Sequence, residues 1–539
     1  MKGAFADGIF FEACVRASTD GALSVDGNTL KVKNATRLLL LIQAGTDAKG
    51  DAPDAEMVFP TNTDFDLLFA RHAARFAQLL GDAVLDVDVP HSDLPTDQRI
   101  RAFREGQDPG MPLLYFAYGR YLMASGSSGE LPLNLQGKWN EDLQPPWESD
   151  YHLDINLQMC YWFVETLGMP QADTLFNLIE RFVPYGRVLA QRLYGCRGVY
   201  MSIQTDVWGR PTPESCGWAV WLGAAPWLGQ HLFMHWRYTG DRAFLEQRCY
   251  PYLKEVAAFY EDYLFEHEGT LCIAPSQSPE NRFAGTGDWP VSIGINSAMD
   301  IQLATELLTN AAECAEILGV DGELAEKWRD MVTRLPELSV DSIGRLNEWG
   351  KEREEVEPGH RHFSHLYGLH PGQLFAPDGA LWNAAERSLN ERLRHGGGHT
   401  GWSRSWTACL MARLGRAEEA WQHFMALIGD FATITLLDLH PPRIFQIDGN
   451  MGGTACVCEM LMQSRRGELR LLPALPQAWP KGSVRSFRAQ DQVTVSFDWA
   501  DGALTGCALV SAQEQRLRGL CGGNIWEVSL RAGETCQLM

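Results

Sequence analysis

From about residue 111 onward, apolar residues recur at three- and four-residue spacing in one segment after another for roughly 350 residues. PLLYFAYGRYLMAS, ADTLFNLIERFVPYGRVLAQRLYG, NSAMDIQLATELLTNAAECAEILG and GWSRSWTACLMARLG are examples. Such a run reads as roughly a dozen helices, several of them apolar almost all round. Helices of that kind bury every face, which is what one ring of helices enclosed by another requires. The expected architecture is therefore an α/α toroid.

Both flanks change period. Residues from about 8 to 45 alternate in the β manner as IFFEACVRA, TLKVK and TRLLLLIQAG, broken by Asp20-Gly21 and Asp26-Gly27-Asn28. TDFDLLFARHAARFAQLL, residues 63–80, follows as a capped connecting helix. Past Gly467 the pattern returns to two, with LRLLPALP, GSVRSFRAQ, QVTVSFDWA, LTGCALVSA and IWEVSLRA, and Asp501-Gly502 marks a hairpin. The first strands are too few to close a sandwich, and an open apolar sheet edge favours self-association.

Charge and apolar runs exclude several classes. With 46 basic against 68 acidic residues the net charge is −22, which opposes phosphate backbones and anionic lipids, so neither nucleic acid nor membrane is an expected partner. No apolar run approaches the roughly 20 residues of a membrane span. The start MKGAFADGIFFEA lacks a signal-peptide core, which points to a cytoplasmic chain as written. The 13 Cys are odd in number, with only Cys456 and Cys458 close together, so reduced thiols are expected.

Five polar loops carry the candidate chemistry. Asp142 to Glu165 joins Pro145, Pro146 and Trp147 to a helix expected to carry Asp154, Asn156 and Gln158 beside Tyr161, Trp162 and Phe163. The others are APSQSPENRFAGTGDW, GHRHFSHLYGLHPG, HGGGHTGWSRSW and HPPRIFQIDGNMGG. In a toroid the loops at one end line an axial funnel, so carboxylates distant in sequence share one cavity. Glu280, after Ser278-Pro279, suits a partly desolvated general acid or equally a helix-start carboxylate. Asp448, before a Gly-rich turn, suits a base or a helix cap. His360, His362 and His365 have metal-compatible spacing but are also donors to sugar hydroxyls, and His231 with His235 lacks the Glu of a zinc HExxH motif. HGGGH and GNMGG do not match a phosphate loop, and no Gly-x-Ser-x-Gly elbow occurs.

Taken together, LPLNLQGKWNEDLQPPWESDYHLDINLQMCYW, SPENRF, EPGHRHFSHLYGLHPG, GHTGWSRSW, FQIDGNMGG and LLPALPQAWPKGSV resemble, in order, the family 95 glycoside hydrolases. The resemblance implies a multidomain α and β chain: a partial N-terminal β-domain over residues 1–60, a helical linker over 61–109, an (α/α)6 barrel over 110–466 and a C-terminal β-domain over 467–539. It implies an inverting, exo-acting α-L-fucosidase on oligosaccharides or glycans, with no metal and no organic cofactor. Glu280 would be the general acid and Asp448 the base, with Asn156 holding the attacking water. His152, Trp147, His360, His362, His365, His399, Trp402 and Arg404 form the expected substrate-binding set.

Three departures stand out. Asp154 replaces the family's usual Asn, placing a second carboxylate in the catalytic set; it could share the base role, raise the pKa of Asp448 or bind a hydroxyl. Cys160 replaces another Asn. Only the last strands of the family's N-terminal β-sandwich are represented. His152 is placed to meet the hydroxymethyl of L-galactose, or merely to bond backbone or Asp150, so an α-L-galactosidase is a second expectation. A catalytically silent carbohydrate-binding relative and a hydrolase using a His360–His362–His365 metal are the competing readings.

Overall fold

The computed structural model describes residues 1–6, 8–48, 50, 59, 64–127, 129–210, 217–285 and 289–538. Thr63, expected at the start of the connecting helix, and residues 286–288 of the SPENRF loop lie outside these. Two compact units divide at Gln78 and Leu79. In the first, Lys2–Ala4, Phe10–Thr19 and Leu38–Thr46 form an antiparallel sheet, with Phe10–Thr19 central, and Ala22–Asp26 pairs with Thr29–Lys33. Alternation along Leu38–Thr46 leaves Leu38, Leu40 and Ile42 exposed on one face.

In the second unit, outer and inner elements alternate along the chain. The outer helices are Met111–Gly126, Ala172–Tyr194, Tyr250–Tyr263, Gly322–Arg334, Ala380–Arg394 and Ala417–Ala426. The inner elements are the helices Asn156–Tyr161, Ala224–Thr239, Ala298–Leu318, Gly401–Arg413 and Asp448–Leu461, together with the 3-10 turn Ser364–Leu366. Burial separates the two rings. Gly401–Arg413 buries every residue but Arg404, whereas Gly322–Arg334 buries only Ala325, Trp328 and Met331, a single stripe. Successive inner elements touch, and Asp448–Leu461 returns to Asn156–Tyr161. Phe363 against Trp406 at 5.7 Å, with Ser403 Oγ donating to Arg361 O at 2.5 Å, closes the circle at the 3-10 turn. Gly119 of an outer helix is required by close approach: a Cβ there would lie 2.0 Å from Thr454 Oγ1 on the inner helix.

Local signals set the helix ends. Ser297 Oγ accepts the Asp300 N–H at 3.4 Å to start Ala298–Leu318, and Gly319, at φ 72°, ends it. Where the periodic reading overshoots, tertiary bonds have taken the backbone. The segment GWAVWLGAAPWLGQHLFMHWRYTG carries the same helical spacing from Gly217 but becomes a helix only at Ala224, because Val220 N–H is held by Gln277 Oε1 at 3.1 Å. Within the loop GHRHFSHLYGLHPG the chain makes only the 3-10 turn, since Arg392 takes the carbonyl of His362 at 2.6 Å.

The closing β-structure comprises two sheets. One runs Thr535–Gln537, Ala503–Ser511, Val493–Ala500, Lys481–Ala489, Val84–Val87; the other runs Met462–Arg465, Glu468–Leu471, Gln515–Cys521, Asn524–Leu530. Val84–Val87 falls in the stretch read as a helical linker. Its four residues pair antiparallel with Lys481–Ala489 and are too few to show a period by themselves. The helical spacing of GNMGGTACVCEMLMQS runs on past Leu461, but Met462–Arg465 pairs instead with Glu468–Leu471. Among the described residues no helix is long and apolar enough to cross a membrane.

Candidate active site

The inner helices present their N-terminal ends to one face, and the loops leading into them converge there. Ser276-Gln277 pairs with Ile293-Gly294, and the chain then turns through Ser278, Pro279 and Glu280. This turn is bolted from below. Ser278 Oγ donates to Glu348 Oε1 at 2.8 Å, Asn281 Nδ2 donates to Glu348 and Glu355 at 3.1 Å each, and Ser364 Oγ donates to the carbonyl of Pro279. Arg392, buried, bridges Glu348 and Glu355 at 2.8 and 3.0 Å, balancing the two carboxylates. Above this anchor the Glu280 side chain remains 21% exposed and accepts a hydrogen bond from Arg361 Nη2, with His362 Nε2 3.6 Å away. Arg361 is absent from the expected set, although it stands between two histidines of a motif already singled out.

Asp448 opens the helix Asp448–Leu461 and is fully buried. Its Oδ1 accepts the Gly449 N–H at 2.9 Å, and its Oδ2 accepts from Asn156 Nδ2. Burial raises its pKa to about 6, against the opposing effects of these two hydrogen bonds and the nearby His152. Because Asp448 takes the Asn156 amide nitrogen, the amide oxygen is left to hold another group. His152, Asn156 and Asp448 line one small cavity with Asn134 and Cys160.

The stretch from His152 to Asn156 reaches both carboxylates. Leu153 N–H bonds Ile203 O at 2.7 Å and the helix begins only at Asn156, so Asp154 lies in the turn before it rather than on the same helical face. A carboxylate oxygen of Asp154, one of Glu280 and a ring nitrogen of His362 lie within 4.8 Å of one another. Asp154 is 1% exposed, and neither of its oxygens has a hydrogen-bond partner. Burial, followed by the Glu280 charge, raises its pKa to about 7. His152 Nδ1 sits 2.7 Å from Asp150 Oδ1. Burial works against its charge, but Asp150, Asp154 and Glu280 prevail and raise its pKa to about 9.

The remaining expected residues divide between the site and its support. Trp147, 36% exposed, meets His440 edge-on at 5.7 Å. Trp402 is buried against His362 at 4.6 Å, and His360 stacks on His362 at 5.3 Å while its Nδ1 accepts the His362 N–H. Burial, reinforced by Arg361, holds His360 and His362 neutral. His399 is exposed. His365 lies 3.8 Å from Glu348, among the groups anchoring the Glu280 turn, so the three histidines do not converge on a common point. Arg404 lies 2.9 Å from His423 Nδ1 and beside Phe431, between an inner and an outer helix. Asp438, outside the expected set, is buried against Gly401 and Gly449 with both oxygens unpartnered. Burial and the Asp448 charge raise its pKa strongly. A second, larger pocket lies at the C-terminal ends of the inner helices around Trp162, His231, His370 and Arg413; it contains neither Glu280 nor Asp448.

Comparison with known proteins fits this geometry. The family model described as the glycosyl hydrolase family 95 catalytic domain matches residues 64–461, and that of the family 95 C-terminal domain matches residues 463–531. The chain belongs to glycosyl hydrolase family 95. Alpha-L-fucosidase 2 of Arabidopsis thaliana is 35% identical over 540 residues, covering 93% of this family 95 chain and 63% of that protein. Probable alpha-fucosidase A of Aspergillus niger is 30% identical over 453 residues, covering 77% and 56% respectively. The chain thus spans about three fifths of the length of these relatives. Among solved structures, a putative kojibiose phosphorylase from the human microbiome superposes with a TM-score of 0.62 at 12% identity, covering 97% of this chain and 80% of that one, which is a likeness of fold.

Proposed function

We propose that this family 95 chain releases terminal α-L-fucose, or the closely related α-L-galactose, from oligosaccharides or glycans with inversion at the anomeric carbon. The observation that carries the reading is the Asp154–Asn156 turn, which meets Glu280 at one residue and Asp448 at another. Two carboxyl groups from separate loops thus meet one short stretch of chain, which supports their use as an acid and a base on either side of a sugar. The names of the two fucosidase relatives support the sugar.

In this reading Glu280 protonates the leaving oxygen as the glycosidic bond breaks, while Arg361 and the anchored turn fix its position. The Asn156 amide oxygen holds a water, and Asp448 receives the proton that water loses as it attacks the opposite face of the sugar. Asp448 works only when ionised, so activity falls as pH drops below about 6. His152, with Nδ1 held by Asp150, has its other ring nitrogen for a sugar hydroxyl. A hydrogen bond of that kind discriminates a hydroxymethyl from a methyl more strongly than an apolar slot does.

Purified protein is assayed on oligosaccharides ending in α-L-fucose or α-L-galactose. Turnover of at least one is expected, with Glu280→Gln and Asp448→Asn each losing about 10²-fold or more. Wild-type rates in either variant would reject the assignment. Saturable sugar binding with no release by the wild type would leave a silent binding protein instead.

A further inference from the structure

We propose that Asp154 and Glu280 share a single proton, so that the general acid of this enzyme is a carboxyl pair whose charge Arg361 steers. The inference rests on the acid role proposed above for Glu280. Its basis is geometric: the two carboxyl groups approach within 4.8 Å, and both Asp154 oxygens are buried without a hydrogen-bond donor. A buried carboxylate lacking donors is costly as an anion and stable as an acid. Glu280, by contrast, holds the Arg361 guanidinium. At rest the proton therefore resides on Asp154 and the negative charge on Glu280.

The other groups facing the pair favour one net negative charge. His152 is cationic and Arg361 is cationic, while His362 is neutral. His440, whose pKa burial lowers, also feels the Glu280 charge. Two anions this close cannot both persist cheaply. Substrate entry separates Glu280 from solvent, and the shared proton passes to Glu280 and then to the glycosidic oxygen as the C–O bond breaks. Water supplies the new oxygen at the anomeric carbon and gives one proton to Asp448. The pair is left doubly ionised, and the proton on Asp448 returns to it through solvent, so one water is consumed and no proton is gained or lost. Asp154 is thus a positioning residue for the proton rather than a group that meets the sugar.

The test compares pH profiles of kcat/KM for wild type, Asp154→Asn and Arg361→Gln, using an alkyl glycoside of the cleaved sugar and its 2,4-dinitrophenyl counterpart. Asp154→Asn removes the carboxyl that shares the proton and is expected to move the alkaline limb on the alkyl glycoside down by about one pH unit. Arg361→Gln is expected to move it up. Asp154→Asn is expected to lose far less on the dinitrophenyl glycoside, whose leaving group needs no acid. An unmoved alkaline limb in Asp154→Asn, or a change confined to KM, overturns the proposal. Infrared titration of the protonated carboxyl band needs no turnover: Asp300, Glu306 and Asp438, whose pKa values burial also raises, contribute to it in both proteins, and wild type is expected to show an additional component, persisting to neutral pH, that Asp154→Asn lacks. An identical band in both proteins also overturns it. A wild type that shows the band but cleaves neither sugar rejects the hydrolase reading while leaving the shared proton standing.

Discussion

Replacing Arg392 with Met removes the buried cation that bridges Glu348 and Glu355 in the anchor beneath Glu280, leaving Glu355 the more distant Arg345 at 3.8 Å. Nη2 of Arg392 serves Glu348 at 2.8 Å and Glu355 at 3.0 Å, and its Nη1 donates to the His362 carbonyl at 2.6 Å. Glu348 is 3% exposed and Glu355 17%, so neither carboxylate regains full hydration when the guanidinium goes. Breaking a buried ion pair in this way costs about 3–5 kcal/mol, and the orphaned carbonyl adds about 1 kcal/mol. Arg392→Met is therefore expected to destabilise the second unit by about 4–6 kcal/mol. Urea unfolding followed by tryptophan fluorescence reads the shift. Turnover is expected to fall as well, because Asn281 and Ser278 lose a fixed acceptor and the Glu280 turn loosens. The double variant Arg392→Met with Glu348→Gln removes the more deeply buried of the two stranded charges and is expected to be more stable than the single one, a non-additive cycle. A single variant within about 1 kcal/mol of wild type, or an additive double variant, would refute the role given to this network.

Other expectations are simpler. Asp154 has a folded pKa of about 7, above its ordinary value, so its contribution to stability is full below pH 4 and is lost as pH rises through 7. Asp154→Asn is therefore expected to exceed wild type in stability above pH 7 by up to about 4 kcal/mol, with the gap closing toward pH 4, as thermal or urea melts across pH would show. His152→Ala is expected to lower the galactoside-to-fucoside ratio of kcat/KM by about tenfold or more if the imidazole meets the extra hydroxyl. In Gly449→Ala the new Cβ would lie 2.0 Å from Asp438 Oδ2, so overpacking of about 1–3 kcal/mol is expected together with reduced turnover, measured by melting and by assay.

Much of the fold is legible because its signals are long and periodic. The inner helices Gly401–Arg413 and Asp448–Leu461 are buried almost throughout, and composition alone sets them apart from the striped outer helices. Val84–Val87 is not legible, since its partner strand lies almost 400 residues later and four residues carry too little pattern. Spacing also leaves Asp154 undecided. It stands two positions before Asn156, and only the helix start at Asn156 determines that its neighbour is Glu280 rather than Asp448. Arg361 and Asp438 escape notice for another reason: each is an ordinary residue in sequence until the fold brings Arg361 to Glu280 and buries Asp438 beside Asp448. Cys160 does no visible chemistry; it fills a buried position beside Asp448 as a small apolar group.

Proton NMR during the first minutes of hydrolysis offers the most direct check on two carboxyl groups acting from opposite faces. With Glu280 protonating the leaving oxygen and Asp448 directing water through Asn156, the first sugar released from an α-L-glycoside carries the β-anomeric signal, and the α-anomer grows in only by mutarotation. Initial release of the α-anomer would mean a covalent, retaining route and would contradict the assignment of Asp448 as a base.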